Sequence, residues 1–128
     1  MEPIADTVVL TGVENIWPDH LDEQLRSSGF VPMHVDSVHH VALLALHHNV
    51  CAVVAEARSL SFGDVVVLRR LRAQAPAIPL IVVGTGSTWQ ALKDALDSGA
   101  TAFVPRGQLP GVLVETLRSI RHEIPHAG

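Results

Sequence analysis

The segment Cys51-Ala-Val-Val-Ala-Glu56 decides the fold expected for this chain. It is a short apolar run that contains two valines and ends on a carboxylate. A run of this length and composition is typical of a strand that is buried on both faces of a parallel sheet. Ligands of open α/β sheets bind beyond the carboxyl ends of the strands, so Glu56 marks the candidate functional site.

Four further segments have the composition of strands, and helical patterns separate them. Within each helical pattern, apolar residues recur three or four positions apart. This alternation predicts an α/β domain with a five-stranded parallel sheet, right-handed crossovers and helices on both faces. The predicted strands are Thr7–Thr11, Phe30–Val35, Cys51–Glu56, Pro79–Val83 and Ala100–Pro105. The predicted helices begin at Pro18, after Asp36 or Ser37, at Gly63, after Ser87 or Thr88, and at Pro110.

Proline and glycine mark particular boundaries in this pattern. Pro18 suits the first position of the first helix, and Gly29 ends that helix. Pro32 lies inside the second predicted strand. Because proline cannot donate a hydrogen bond to a neighbouring strand, this strand is expected at the edge of the sheet.

Length and composition predict a single globular domain over residues 1–128, with its core over about residues 7–122. The chain is 48% hydrophobic and 17% charged, and its net charge is −4. Without a basic run, direct contact with nucleic acid is not expected. One cysteine, Cys51, excludes a disulfide framework. No signal-peptide pattern and no apolar run of about 18 residues occurs, so we expect a cytoplasmic protein with no membrane contact.

Two later strand ends are expected beside Glu56. Gly84 follows the fourth predicted strand and Arg106 follows the fifth. Because the carboxyl ends of parallel strands meet at one edge of a sheet, these three residues are expected to surround one crevice.

Residues 97–118, DSGATAFVPRGQLPGVLVETLR, carry the most specific family resemblance. This passage resembles the receiver domain of two-component response regulators, in their LuxR-type or NarL-like branch. Residues 63–72, GDVVVLRRLR, resemble a weaker and more common pattern of the same family. The resemblance extends from Thr7 to Ile120. It implies a flavodoxin-like (βα)5 doubly wound fold and a role in phosphorelay signal transduction.

The resemblance also implies which positions correspond to the family's functional residues. In that family, two acids after the first strand hold Mg²⁺, and an aspartate after the third strand accepts the phosphoryl group. A hydroxyl after the fourth strand and a lysine after the fifth bind phosphoryl oxygens, and an aromatic residue acts as a switch. The corresponding positions in this chain are Thr11 and Gly12, Glu56, Gly84, Arg106 and Phe103.

Most of these positions depart from the family pattern. Thr11 and Gly12 supply no carboxylate to a hard cation, and Gly84 has no hydroxyl. Glu56 is one methylene longer than aspartate, which displaces the nucleophile. The departures predict a degenerate, non-enzymatic receiver that uses no metal or cofactor and does not undergo the usual aspartyl phosphorylation.

The residues at this site allow two interpretations. Glu56 either forms an ion pair with Arg106 that imitates the phosphorylated state, or points into solvent. The loop after Gly84, formed by Thr85, Gly86, Ser87 and Thr88, either cradles a phosphate or is an ordinary loop that caps a helix. The histidine doublets at 39–40 and 47–48 are expected at the surface, because neither has the spacing of a metal chelate.

The leading functional hypothesis is a signalling module that acts by contact with a protein partner or an effector domain. By resemblance, the fourth helix, fifth strand and fifth helix form its contact face, with a homodimer as one candidate assembly, and the output is transcription control. An alternative is a sensor of a small metabolite or nucleotide in the vacated crevice. A third hypothesis is a small enzyme with Glu56 as a base, which no paired acid or recognisable triad supports.

Overall fold

Five parallel strands form a single sheet in the order β2-β1-β3-β4-β5. The computed structural model describes residues 7–12, 17–47, 50–57, 61–84 and 100–123. The strands are β1 (Thr7–Thr11), β2 (Val31–Val35), β3 (Val50–Glu56), β4 (Leu80–Gly84) and β5 (Ala102–Pro105). The helices are α1 (Leu21–Ser27), α2 (Val38–His47), α3 (Phe62–Gln74) and α4 (Gly111–Glu123), and a 3₁₀ turn covers Arg106–Gln108. The predicted α/β fold with a five-stranded parallel sheet is confirmed.

The core lies on both faces of the sheet, with β3 at its centre. Alternate residues of the central strands point to opposite faces, as the pleat of a strand requires. Val54 of β3 packs with Leu25 of α1 and Leu113 of α4, on what we call the α1/α4 face. Val53 packs with Val41 of α2 and with residues of α3, on the α2/α3 face. This burial on both faces explains why β3 is a continuous apolar run in the sequence.

Helix α1 begins later than the sequence predicts. Leu21 N donates to Pro18 O at 3.1 Å, which is a three-residue turn, and the helical pattern starts when Gln24 N donates to His20 O at 3.0 Å. Pro18 is therefore not the first helical residue, and that prediction was wrong. Proline is favoured both at the first position of a helix and in a turn that precedes a helix, because both positions need a backbone φ near about −65°. The sequence alone therefore does not distinguish these two positions.

The end of α1 was predicted correctly, and it also explains why β2 starts one residue late. Gly29 has a φ of 88°, a left-handed conformation that favours glycine. Phe30 N donates to Leu25 O at 2.9 Å, and Gly29 N donates to Arg26 O at 3.1 Å. These two bonds form a Schellman motif, so Phe30 belongs to the helix terminus and β2 begins at Val31.

Strand β2 lies at the edge of the sheet, as Pro32 predicts. It pairs only with β1, and Pro32 aligns with Val8. The side chain of Val31 is 54% exposed. The edge position thus tolerates both a missing donor and incomplete burial.

Side-chain caps fix the starts of α2 and α3. Ser37 Oγ accepts a hydrogen bond from His40 N at 3.2 Å, which makes Ser37 the cap among the two predicted candidates. Ser61 and Asp64 form a reciprocal capping box, with distances of 3.1 and 2.9 Å. The sequence-based prediction began this helix at Gly63 without a cap, whereas the capping box starts α3 at Phe62.

The helix predicted after Ser87 or Thr88 lies outside the described residues. Among the residues that the structure does describe, no helix is both long and apolar enough to cross a membrane.

Candidate functional site

The strand register brings the predicted site residues to one edge of the sheet. Glu56 is the last residue of β3 and aligns with Val83 of β4. Gly84 is the last residue of β4 and aligns with Pro105 of β5, which directly precedes Arg106. Since all strands run in the same direction, Glu56, Gly84 and Arg106 share the carboxyl edge of the sheet, as the sequence predicts.

Glu56 is fully buried. Its relative exposure is 0%, and only one other polar or charged residue, Thr11, is buried among those described. Burial of a carboxylate is costly unless charged or hydrogen-bonding groups compensate it. Of the two orientations considered from sequence, the structure places this side chain in the interior and not in solvent.

Arg106 is the cation that approaches Glu56. Its Nη1 lies 3.9 Å from Glu56 Oε1, which is an ion-pair distance and longer than an N–H···O hydrogen bond. Nη1 is itself buried, whereas the arginine side chain as a whole is 30% exposed. The contact therefore joins an interior carboxylate to a guanidinium that still reaches solvent.

The turn after β5 sets the position of Arg106. Pro105, the last residue of β5, has extended backbone angles, and Arg106 opens the 3₁₀ turn. Leu109 N donates to Arg106 O at 3.2 Å and closes this turn. The arginine backbone is thus held at the sheet edge, and its long side chain crosses toward β3.

The positions that correspond to metal ligands do not fit Mg²⁺. Thr11 is 3% exposed and aligns with Ala55, so it lies beside the end of β3, and Gly12 follows it. Neither residue has a carboxylate, and the carboxylate of Glu56 is engaged with Arg106. Magnesium is held by oxygen ligands in near-octahedral geometry, which these side chains do not provide. Within the described ranges, no group of three or more His, Cys, Asp or Glu side chains could hold a metal ion.

Phe103 lies on β5, an edge strand that is separated from the central strand β3 by β4. It aligns with Val82 and is half-buried against the α2/α3 face. The loop Thr85, Gly86, Ser87 and Thr88, which was considered as a ligand loop, lies outside the described residues.

The sequence gives no signal for Val83, an apolar residue that lies beside Glu56 on the neighbouring strand. Val83 is fully buried and is the register partner of Glu56 on β4. It looks like an ordinary strand residue in the sequence, since the register between two strands depends on packing across the whole sheet. An apolar neighbour of this kind lowers the local dielectric constant around the Glu56 carboxylate, which strengthens its attraction to a nearby cation.

Comparison with solved structures gives the class of fold. The receiver domain of the response regulator TorR of the TMAO respiratory system has a TM-score of 0.81 and 16% identity, covering 93% of this chain and 98% of that chain. An atypical orphan response regulator, described as having a phosphorylation-independent regulatory mechanism, has a TM-score of 0.75 and 15% identity, covering 94% and 99%. A putative pilus assembly-related protein of Burkholderia pseudomallei has a TM-score of 0.77 and 13% identity, covering 100% and 98%.

These similarities show that the chain has the fold of response-regulator receiver domains. The identities are low, so they establish the fold alone. No protein-family model matches the sequence, and no curated protein matches it.

Proposed function

We propose that this chain is a phosphorylation-independent receiver-like signalling module that acts through protein–protein contact. The observation that carries the proposal is the ion pair between buried Glu56 and Arg106, with 3.9 Å between Oε1 and Nη1. The pair occupies the sheet edge where the resembling family carries its phosphoacceptor and its lysine. A carboxylate that is already neutralised by an internal cation is a poor nucleophile for a phosphoryl donor.

The other residues at this edge support the same proposal. Thr11 and Gly12 replace the two acids that the resemblance leads one to expect, and Gly84 replaces the hydroxyl residue. Phosphoryl transfer depends on positioning and on charge stabilisation by metal ions. Without carboxylates at positions 11 and 12, that stabilisation is weakened even if a donor reaches Glu56. We propose accordingly that the module is not an enzyme and uses no metal or cofactor.

Its output is proposed to pass through a protein partner or an effector domain in the cytoplasm. The resemblance to the LuxR-type branch favours transcription control as the final output. Strand β5 and helix α4, together with the helix predicted before β5, are the proposed contact face, including for a homodimer. The net charge of −4 favours a protein partner over direct contact with nucleic acid.

An amide NMR spectrum recorded with and without Mg²⁺ plus beryllofluoride tests the proposal. Beryllofluoride imitates a phosphoryl group bound to an aspartate. We expect the spectrum to remain unchanged up to millimolar concentrations of the mimic. Saturable shifts that cluster at Glu56, Gly84 and Arg106 would overturn the proposal, because they would show a surviving phosphoryl site.

A restored variant makes the negative result informative. It combines Thr11→Asp, Gly12→Asp, Glu56→Asp, Gly84→Thr and Arg106→Lys, which together reinstate the side chains of the family pattern. If this variant folds and binds beryllofluoride while the parent does not, the missing response of the parent is due to these positions and not to the fold or the assay conditions.

A further inference from the structure

Helix α3 is the most basic of the described elements, in a chain whose net charge is −4. It carries three arginines, Arg69, Arg70 and Arg72, and one acid, Asp64. Asp64 lies in the first turn, where it accepts a hydrogen bond from Ser61 N at 2.9 Å. Helix α2, which covers the same side of the sheet, contains no Asp or Glu. The helix layer on this side of the sheet is therefore cationic.

The three arginines of α3 divide between two roles. Arg72 Nη1 donates to Pro76 O at 3.0 Å and to Ile78 O at 2.5 Å, so this guanidinium ties the end of the helix to the chain that leads into β4. Arg69 and Arg70 are exposed. Arg72 thus holds the local structure together, whereas Arg69 and Arg70 present their charges at the surface.

An apolar residue lies between these two charges on the outer side of α3. Val66 is two positions before the buried Leu68, a rotation of about 200° around the helix axis, so it faces away from the core. Arg69 and Arg70 follow Val66 by three and four positions and therefore share its face. Val66 is half-buried at this surface. The outer side of α3 thus combines a valine with two guanidinium groups.

Helix α2 adds a second apolar side chain to the same surface. Leu43 is 58% exposed, and it is two positions away from both Val41 and Ala45, which are buried. This spacing directs Leu43 away from the sheet. Since α2 and α3 pack against each other on one side of the sheet, their outer sides form one surface. An exposed leucine of this kind is not explained by the packing of the domain itself.

We infer that Leu43, Val66, Arg69 and Arg70, which we call the basic α2/α3 surface, bind an acidic amphipathic helix of a partner protein. Guanidinium groups pair with carboxylates in a bidentate geometry, and the apolar stripe of such a helix matches the exposed leucine and the valine. A nucleic acid offers phosphates but no apolar stripe, and the net charge of −4 repels it.

This surface extends the proposed function. It lies on the opposite side of the sheet from α4, so it is distinct from the part of the proposed contact face that α4 forms. The inference rests on the proposed function, because it names the class of partner for a module that acts by protein–protein contact.

A titration of the isotope-labelled chain with a synthetic acidic amphipathic helix tests the inference. The probe has about four helical turns, with leucines along one face and glutamates at the other positions. We expect saturable shifts of amide resonances in α2 and α3. The affinity should fall as the salt concentration rises, because salt screens charges at an exposed surface.

Two variants and a matched control assign the binding to these residues. Arg69→Glu/Arg70→Glu should weaken binding about tenfold or more, because it reverses both exposed charges. Leu43→Ser should weaken it about fivefold by removing apolar contact. The control, Arg26→Glu/Arg118→Glu, reverses two exposed arginines of α1 and α4 and gives the same net charge. Its effect on the affinity should be less than about twofold.

Four outcomes would refute the inference. The first is the absence of saturable shifts in α2 and α3, and the second is an equal loss of affinity in the control. The third is binding of a DNA duplex to the same residues as tightly as the peptide, which would indicate a general site for polyanions. The fourth is the appearance of the same shifts when the concentration of the chain alone is raised, since the occupant would then be a second copy. The beryllofluoride spectrum is recorded without peptide, so a phosphoryl site found there contradicts the proposed function and not the peptide result.

Discussion

Removing one partner of the Glu56–Arg106 pair should cost more on the arginine side than on the glutamate side. Arg106→Met leaves a carboxylate at 0% exposure without this cation. Glu56→Gln leaves a neutral amide of similar shape, and the guanidinium keeps its solvent contact, because 30% of the Arg106 side chain is exposed. The asymmetry follows from burial: the charge left behind is fully desolvated in one variant and partly hydrated in the other.

The distance sets the scale of the effect. At 3.9 Å and an effective dielectric constant of about 20, the attraction between two unit charges is roughly 4 kcal/mol. Partial exposure of Arg106 reduces this figure, since exposed pairs contribute about 1 kcal/mol or less and fully buried pairs lose about 3–5 kcal/mol when broken. We expect a loss of about 2 kcal/mol for Arg106→Met and about 1 kcal/mol for Glu56→Gln.

Urea unfolding of both single variants and of the double variant measures these losses. In a chain of this length, each kcal/mol also lowers Tm by about 3–5 °C. The double variant should lose less than the sum of the single variants, by about 1 kcal/mol, because the two side chains interact. Equal losses for the two single variants, or strict additivity, would refute the reasoning, since either result means that the buried carboxylate does not depend on Arg106.

Three further substitutions test the local structure. Gly29→Ala should lower the free energy of unfolding in urea by about 1–2 kcal/mol, because φ is 88° at this residue. Gly107→Ala, at a position where a Cβ meets open space, should lower it by less than about 1 kcal/mol. Equal losses would contradict the left-handed conformation of Gly29. Ser61→Ala should lower the free energy of unfolding by about 1 kcal/mol, because it removes the capping box. It should also reduce the hydrogen-exchange protection of amides in the first turn of α3. Unchanged protection would count against the capping box. Leu25→Ala should lower the free energy of unfolding by about 2–5 kcal/mol, because it leaves a cavity on the α1/α4 face. Leu43 is 58% exposed and serves as the control. A loss for Leu25→Ala no larger than that for Leu43→Ala would contradict the assigned core.

The fold was predictable because its strongest sequence signals are local. The apolar run of β3 follows from burial on both faces, and the position of β2 follows from the missing donor of Pro32. Gly29 marks the end of α1 because the backbone there is left-handed. In each case one physical requirement limits the choice of residue, so the sequence is nearly sufficient to predict the structural element.

The starts of helices and the contacts between side chains were less predictable, because the same residues are compatible with more than one local structure. Leu21 starts α1 instead of Pro18, since the proline backbone suits a turn as well as a helix. Ser61 caps α3 through a bond with Asp64, a pattern that overlaps the composition of a loop. The approach of Arg106 to Glu56 required the register of three strands, which no single segment encodes.

The residues at the carboxyl edge of the sheet also determine how the buried Glu56 carboxylate is compensated. In the receiver domains that this sequence resembles, several carboxylates share one sheet edge and repel one another, and a cation offsets that repulsion. Here Thr11 and Gly12 contribute no charge, so Glu56 and Arg106 form a pair whose charges sum to zero. A pair of this kind can be buried at a smaller desolvation cost than an isolated carboxylate. The Arg106 guanidinium therefore supplies, from within the chain, a compensating charge for the buried Glu56 carboxylate.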